Sequence, residues 1–344
     1  MSIQVKGKYY NWEPVVSSVI KDKQLSENIY SRGYEKIRVL SEEQLEQLQN
    51  IFNREHKLEI KDGGMFYSLY SKDYDYRKRV NDEIQQILLP IFEKLFVNYK
   101  NVINSFVIKA PGPKSEFYVH QDTTAMDEYQ GSPLSLWIPL HDITTENGAM
   151  CIIEKTHWFF SPYRGVSFNF PFTKINNTVK DYLQPITLKK GEILIFDPRL
   201  IHNSLANQTS DPRIAIVAGI FPKDAKFNTC FKDPNISNSP IEIYEHEDDY
   251  LLKYPNFFYN CHERPVSGVK INEIPFDEKE MSSDEFIELC ELNQIPKQEF
   301  IIKYSEEKCQ MIAEPDGVNK FESPEKKEVT SNAKKGFFSK LFSR

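Results

Sequence analysis

The sequence predicts a mainly β protein, a sandwich or barrel flanked by helices. Three observations lead there. From about Phe106 to Phe221 short apolar runs alternate with turn signals, as in all-β layered folds. The first hundred residues instead place apolar side chains at helical spacing. A chain of 344 residues with 40% apolar content, rich in Phe and Tyr, can bury a sizeable core.

The elements follow in order. Ser41-Glu42-Glu43-Gln44 is a capping box, with Ser41 as N-cap and Gln44 reaching back to it. Leu45, Leu48, Ile51 and Phe52 continue at helical spacing. Val80, Ile84, Ile87, Leu88, Ile91 and Leu95 mark a second helix, which Pro90 should kink or restart because it brings no N–H. Ser105 to Lys109 reads as a strand ended by Pro111-Gly112-Pro113. Leu134 to Leu140 is a strand apolar on both faces. Glu146-Asn147-Gly148 turns into the strand Ala149 to Ile153. Lys190-Gly191 turns into Glu192 to Phe196. Leu200 to Leu205, a polar loop from Asn207 to Pro212, and Arg213 to Phe221 complete the series. One more helix is expected after Ser282-Ser283-Asp284-Glu285, and there is no internal repeat. The expected organisation is a mostly helical part over 1–105, a β core over 106–222, a C-terminal extension over 223–313 and a disordered basic tail over 314–344. The tail ends in Phe337-Phe338, Leu341 and Phe342 among lysines, which reads as a flexible tail or a protein-docking peptide, with weak docking to a membrane surface as the alternative.

Composition narrows the function classes. A net charge of −7 implies no broad basic surface, which argues against nucleic acid as a partner. Five cysteines without a C-x-x-C pair read as reduced thiols in a cytoplasmic protein. Neither a signal-peptide core nor an apolar run of membrane-spanning length is visible.

The chemistry concentrates in Tyr118-Val119-His120-Gln121-Asp122-Thr123. On a strand, His120 and Asp122 at i and i+2 project to one face, an imidazole beside a carboxylate. His202, far downstream, supplies a third ligand. Two His and one carboxylate form the facial triad that holds non-haem Fe(II) with three positions open. One carboxylate leaves a net positive site, which suits an anionic chelating co-substrate. Ser204 shares a face with His202. If the loop near Asn207-Gln208 closes a hairpin, Arg213 sits opposite His202. An Arg inside an apolar barrel calls for an anion, and its guanidinium forks onto a carboxylate. A metal and a facing Arg, one small dicarboxylate apart, fit 2-oxoglutarate. The plainer alternatives are a structural His/Asp pair and a simple salt bridge at Arg213.

Taken together, these pieces resemble the phytanoyl-CoA dioxygenase family of Fe(II)/2-oxoglutarate oxygenases. The resemblance rests on His120-Gln121-Asp122, Leu136-Trp137-Ile138-Pro139-Leu140, Asn147-Gly148-Ala149, Lys190 to Phe196, and the spacing of His202, Ser204, Asn207 and Arg213. Arg32-Gly33-Tyr34 and Leu40 to Glu43 resemble the family's opening segment. The resemblance implies a double-stranded β-helix (jelly-roll, cupin-like) core, with iron on His120, Asp122 and His202. It implies that Arg213, helped by Ser204, holds the far carboxylate of 2-oxoglutarate. Gln121 matches the usual middle residue and is a contact for co-substrate or substrate. Trp137 stands where the family has an aromatic near the site, and it reads equally as core. Lys109 is a further candidate carboxylate partner. The family's Gly-Ser-His is here Lys155-Thr156-His157. Because Asp122 is present, the resemblance implies oxygenation rather than halogenation. The implied activity is hydroxylation of a C–H bond in a small-molecule or carrier-linked substrate, consuming O2 and 2-oxoglutarate and releasing succinate and CO2. The rivals are a non-catalytic metal-binding jelly roll, acting as a sensor or binding protein, and an interaction protein recruited by its tail. His141 and His157 read as structural, and Cys261-His262 lacks partners at ligand spacing.

Overall fold

The structure is a computed structural model that describes residues 9, 12, 15, 19–56, 64–255, 263–299 and 311–312. Its N-terminal part runs α1 (Lys23–Arg32), β1 (Tyr34–Arg38), α2 (Glu42–Glu55), β2 (Gly64–Tyr67) and α3 (Tyr74–Leu95). α2 opens on the expected box, with the Gln44 N–H donating to Ser41 Oγ and the Ser41 N–H to Gln44 Oε1. α3 continues through Pro90 without the restart expected there. Leu88, Ile91 and Phe92 around the proline are buried, so packing carries the helix past one missing hydrogen bond.

Nine further elements form the centre: β3 (Tyr99–Ala110), β4 (Phe117–His120), β5 (Leu134–Pro139), β6 (Met150–Ile153), α4 (Asn176–Lys180), β7 (Gln184–Ile186), β8 (Glu192–Phe196), β9 (Ile201–Ser204) and β10 (Arg213–Pro222). Then come β11 (Phe227–Lys232), β12 (Ile241–His246), α5 (Tyr250–Lys253), β13 (Val269–Ile274), α6 (Ser283–Leu292) and β14 (Met311–Ile312).

The central strands divide into two sheets. One has the order β1-β8-β5-β10-β3-β2-β14, the other β4-β9-β6-β7. From β3 to β10 the chain crosses between them repeatedly, staying in one sheet only from β6 to β7. That alternation of antiparallel strands is the double-stranded β-helix, or jelly roll.

Strand alternation then sorts the side chains. On the large sheet, Lys109, Arg213, Ala215 and Trp137 fall on one face by register. Trp137, Leu194, Phe196 and Ala215 meet Met150 and Ile152 of the small sheet between the layers. The intervening Phe106, Ile108, Ile138, Ile195 and Ile216 point outward and pack under α2 and α3. The outer face of the small sheet, with Val119, Cys151, Ile153 and Ile201, is covered by Phe159, Phe160 and the Phe286 and Leu289 side chains of α6.

Three expectations need correction. β9 and β10 are not a hairpin: β9 pairs with β4 and β6, while β10 pairs with β3 and β5. The polar loop between them is an arch from one sheet to the other. Asn207, fully buried, pins it through its N–H to Ser115 Oγ and its Nδ2 to the carbonyls of Lys109 and Asp211. A boundary at 105/106 would cut β3, which starts at Tyr99. Residues 223–313 also hold a three-stranded sheet, β11-β12-β13, that the sequence did not suggest. The helix expected there is α6, opened by a Ser282/Glu285 capping box. Cys261-His262 and the terminal tail lie outside the described residues. Among the described residues, no helix is long and apolar enough to cross a membrane.

Candidate metal centre

His120 on β4 lies directly opposite His202 on β9. Val119 and Ile201 belong to the outer cluster, so both imidazoles enter the gap between the sheets. Their ring centroids are 4.1 Å apart. β4 ends at His120, and Asp122 follows just beyond it, held by its N–H to the Pro198 carbonyl at 2.9 Å. The i, i+2 relation read for a strand is thus reached from a strand end. Asp122 Oδ1 stands 3.6 Å from His120 Nε2 and 3.7 Å from His202 Nε2. One ligand atom from each of the three lies within 4.8 Å of the others.

The tautomers are set by the backbone. His120 Nδ1 donates to the Tyr118 carbonyl and His202 Nδ1 to that of Leu200, each at 2.9 Å. Both Nε2 lone pairs are therefore left for the gap, the arrangement in which a second hydrogen bond orients a metal-ligating His. Burial, and then the neighbouring His120, hold the pKa of His202 down at about 4, so its ring is neutral. Two imidazoles and one carboxylate fit a divalent metal of the Fe(II) type. The His202 side chain is 5% exposed and that of Asp122 38%, so the gap opens on the Asp122 side.

Two buried ion pairs, not foreseen from the sequence, hold this geometry. Arg199 forks onto Asp197, with Nε at 2.8 Å and Nη2 at 2.5 Å. The Arg199 carbonyl accepts from Gln121 Nε2. Arg164 pairs with Glu128 at 2.5 Å, with side chains 3% and 0% exposed. Its Nε donates to the Asp122 carbonyl at 2.7 Å. Asp122 is thereby fixed from both peptide groups. Asp197 and Arg199 left a trace, two charges inside the apolar run Phe196 to Leu200. Arg164 and Glu128 are far apart in sequence and left none.

The remaining expected residues divide. Arg213, the first residue of β10, is 2% exposed. Its guanidinium lies 4.9 Å over the Trp137 ring, Nη1 is 3.5 Å from the Gly148 carbonyl, and Nε has no acceptor. Among the described residues no carboxylate comes within ion-pair distance of it. Burial lowers its pKa to about 10, which still leaves it a cation at neutral pH. Trp137 is both core and wall: it packs between the sheets and carries Arg213 on its face. Ser204 is buried on β9 two residues past His202 and so shares its face. Gln121 is 2% exposed, and its Oε1 has no donor.

Lys109 has a different place from that expected. Its ammonium donates to the backbone carbonyls of Ser115, Leu205 and Ser204, so it ties the arch after β9 to β3. At Gly148, φ is +92°, and an added Cβ would stand 2.5 Å from Lys109 Cδ. Where the family has glycine, Lys155 takes φ +66°. Its Nζ donates to the Asn293 carbonyl and its N–H to that of Arg32, each at 2.9 Å. Thr156 Oγ1 donates to the Ile153 carbonyl and accepts from the Ile201 N–H, bridging β6 to β9. His141 and His157 are structural as expected: His141 Nε2 accepts from the Ile214 N–H, and His157 Nε2 donates to the Tyr30 carbonyl, each at 3.0 Å.

The phytanoyl-CoA dioxygenase (PhyH) family model matches residues 31–215. Phytanoyl-CoA dioxygenase domain-containing protein 1 of Danio rerio is 32% identical over 114 residues, 31% of this chain and 39% of that protein. Phytanoyl-CoA dioxygenase of Arabidopsis thaliana is 29% identical over 125 residues, 35% of this chain and 43% of that protein. The chain thus spans less than half the length of the curated relatives it matches. Among solved structures, the α-ketoglutarate-dependent carbocyclase SnoK from nogalamycin biosynthesis is 18% identical with TM-score 0.42, covering 60% of this chain and 86% of that one. HygX from Streptomyces hygroscopicus, with nickel, 2-oxoglutarate and hygromycin B bound, is 14% identical with TM-score 0.42, covering 59% and 88%. With the family model matching more than half of its 344 residues, this chain belongs to the phytanoyl-CoA dioxygenase (PhyH) family.

Proposed function

We propose that the protein is an Fe(II)- and 2-oxoglutarate-dependent dioxygenase that hydroxylates a C–H bond of a small-molecule substrate. The observation that carries this reading is Arg213. A His/Asp/His cluster by itself serves a metal-binding sensor as well as an enzyme. A buried guanidinium without a carboxylate partner among the described residues, on the face of the large sheet that packs against the sheet carrying both histidines, asks for an anion.

His120, Asp122 and His202 would hold the metal through Nε2, a carboxylate oxygen and Nε2. When bound, Fe(II) supplies the activation of O2 that couples decarboxylation of 2-oxoglutarate, to succinate and CO2, with oxidation of the substrate. The chain's own residues do the rest. The carbonyls of Tyr118 and Leu200 keep both imidazoles in the ligating tautomer. Arg213 pairs with the far carboxylate of 2-oxoglutarate, Ser204 adds a hydroxyl on the same side, and Trp137 keeps water from the guanidinium. The Arg164–Glu128 and Asp197–Arg199 pairs keep Asp122 from relaxing away.

Under anaerobic conditions, Fe(II) plus 2-oxoglutarate should give a weak visible charge-transfer band, and admitting O2 should yield succinate. Folded, iron-loaded protein showing neither would be a sensor or binding protein instead. Asp122→Ala and His202→Ala should each abolish metal binding and succinate formation. Arg213→Ala should leave metal binding intact and weaken 2-oxoglutarate by roughly 30-fold or more, the scale of a buried charge pair. Unchanged affinity in that variant overturns the assignment of Arg213.

A further inference from the structure

The inward face of the large sheet continues from β3 onto β2, where Tyr67 pairs with Val107 and Met65 with Lys109. Phe66 and Ile108 join the outer cluster, so Tyr67 and Met65 point into the gap between the sheets. Val107 in turn pairs with Ala215, which puts Ala215, Val107 and Tyr67 in one row across β10, β3 and β2. Arg213, two residues before Ala215, stands in the neighbouring row. The side chains of Ala215 and Val107 are short, and Lys109 beside Arg213 is engaged by the carbonyls of the arch. The Tyr67 phenol acts electrostatically on the guanidinium: burial is the larger influence on the Arg213 pKa and lowers it, and Tyr67 opposes it. The Tyr67 ring also meets the small sheet. Its centroid is 6.5 Å from that of Phe117, and Phe117 stands edge-on to His120 with centroids 4.9 Å apart. Phe117 pairs with Ser204, as His120 does with His202. Tyr67 and Phe117, both half-buried, thus form a side wall that crosses from the large sheet to the metal centre.

We propose that Tyr67 is a further co-substrate residue, its hydroxyl donating to the far carboxylate of 2-oxoglutarate beside Arg213, and that it helps select a 2-oxo acid carrying a second carboxylate. The inference rests on the oxygenase reading and adds a residue and a specificity to that site. A carboxylate can accept about four hydrogen bonds, and a guanidinium fork takes only two of them. A donor on the β2 side of the gap meets an oxygen that the fork leaves over. A phenol hydroxyl donates and accepts at once, so this bond is compatible with another partner of Tyr67. A site built to hydrogen-bond a group discriminates strongly against analogues lacking it, because its donors are then left unpaired.

The test uses the full chain loaded with Mn(II), a redox-inert stand-in, so that the readout is binding and not turnover. Calorimetric titrations compare 2-oxoglutarate with 2-oxopentanoate, which has the same length and the same chelating end but a methyl group in place of the far carboxylate. Tyr67→Phe removes one oxygen and keeps the ring against Phe117 and Tyr70. It should weaken 2-oxoglutarate about tenfold, the scale of one hydrogen bond to a charged group. Affinity for 2-oxopentanoate and for Mn(II) should change less than about twofold, since neither uses the hydroxyl. A selective loss of that kind is not what a merely structural tyrosine would give. Unchanged 2-oxoglutarate affinity in Tyr67→Phe overturns the assignment, and so does an equal loss for both acids or a loss of Mn(II) binding. A Mn(II)-loaded parent protein that binds no 2-oxoglutarate overturns the oxygenase reading itself, and this assignment with it.

Discussion

At the scale of single residues, the site is made by hydrogen bonds that the ligands do not share with the metal. The two Nδ1–carbonyl bonds orient both imidazoles, and the Arg164 contact to the Asp122 carbonyl holds the backbone from which the carboxylate projects, all without an ion. Arg164→Met should therefore cost about 3–5 kcal/mol of stability, because it strands Glu128 as a buried, uncompensated charge. Adding Glu128→Leu should recover part of that loss. Urea unfolding of the single and double variants decides it, and a double variant less stable than the single one would contradict the account. The triad was legible in the sequence because ligands two residues apart on one chain, plus one His, leave a local pattern. The ion pairs behind it were not, since a contact between Arg164 and Glu128 depends on loops that only the fold brings together. Lys109 shows the converse. Its type and position suggested a carboxylate partner, but the arch after β9 offers its ammonium three carbonyls.

At the scale of elements, strand positions were legible and strand partners were not. Short apolar runs bounded by turn residues located β5, β6, β8, β9 and β10 within a residue or two. Hairpin counting then failed at the β9–β10 connection, because loop length alone does not separate a hairpin from an arch between layers. The arch depends on close packing at Gly148, where an added Cβ would meet Lys109 Cδ at 2.5 Å and the Leu205 carbonyl at 2.9 Å. Gly148→Ala should cost at least about 2 kcal/mol from positive φ and crowding together, and should weaken 2-oxoglutarate because the Gly148 carbonyl faces Arg213. Thermal unfolding and a 2-oxoglutarate titration of the same sample test both halves. Acid sensitivity also belongs to this scale. His157, beneath β1, and His246, on β12 against Tyr250, are held by burial at pKa values of about 4. Both values lie below the unfolded one, so between about pH 6.5 and 4 the unfolded chain binds protons that the folded chain refuses. Stability should fall as pH drops through that window, by roughly 2 kcal/mol per histidine between pH 7 and 5. A urea midpoint that stays flat from pH 7 to pH 5 would rule this out.

At the scale of the whole molecule, the two sheets are held together mainly by apolar packing between them, Trp137, Leu194 and Phe196 against Met150 and Ile152. The candidate site divides unequally across that seam. His120 and His202 stand on the small sheet, and Arg213 stands on the large one. A chelated dicarboxylate reaching from metal to guanidinium would thus be a removable rivet between two plates. Either half of it alone grips only one plate. Metal without 2-oxoglutarate, or 2-oxoglutarate without metal, should raise the melting temperature little. Together, at about 100 times the dissociation constant, they should add about 2.7 kcal/mol. Arg213→Ala should abolish the joint increment while sparing the small effect of metal, and additive shifts in differential scanning calorimetry would show that no such rivet forms. Arg213, without a carboxylate partner among the described residues, then has a mechanical meaning as well as a chemical one: under the proposed function, the dicarboxylate that reaches it would also clamp the two sheets of the jelly roll together.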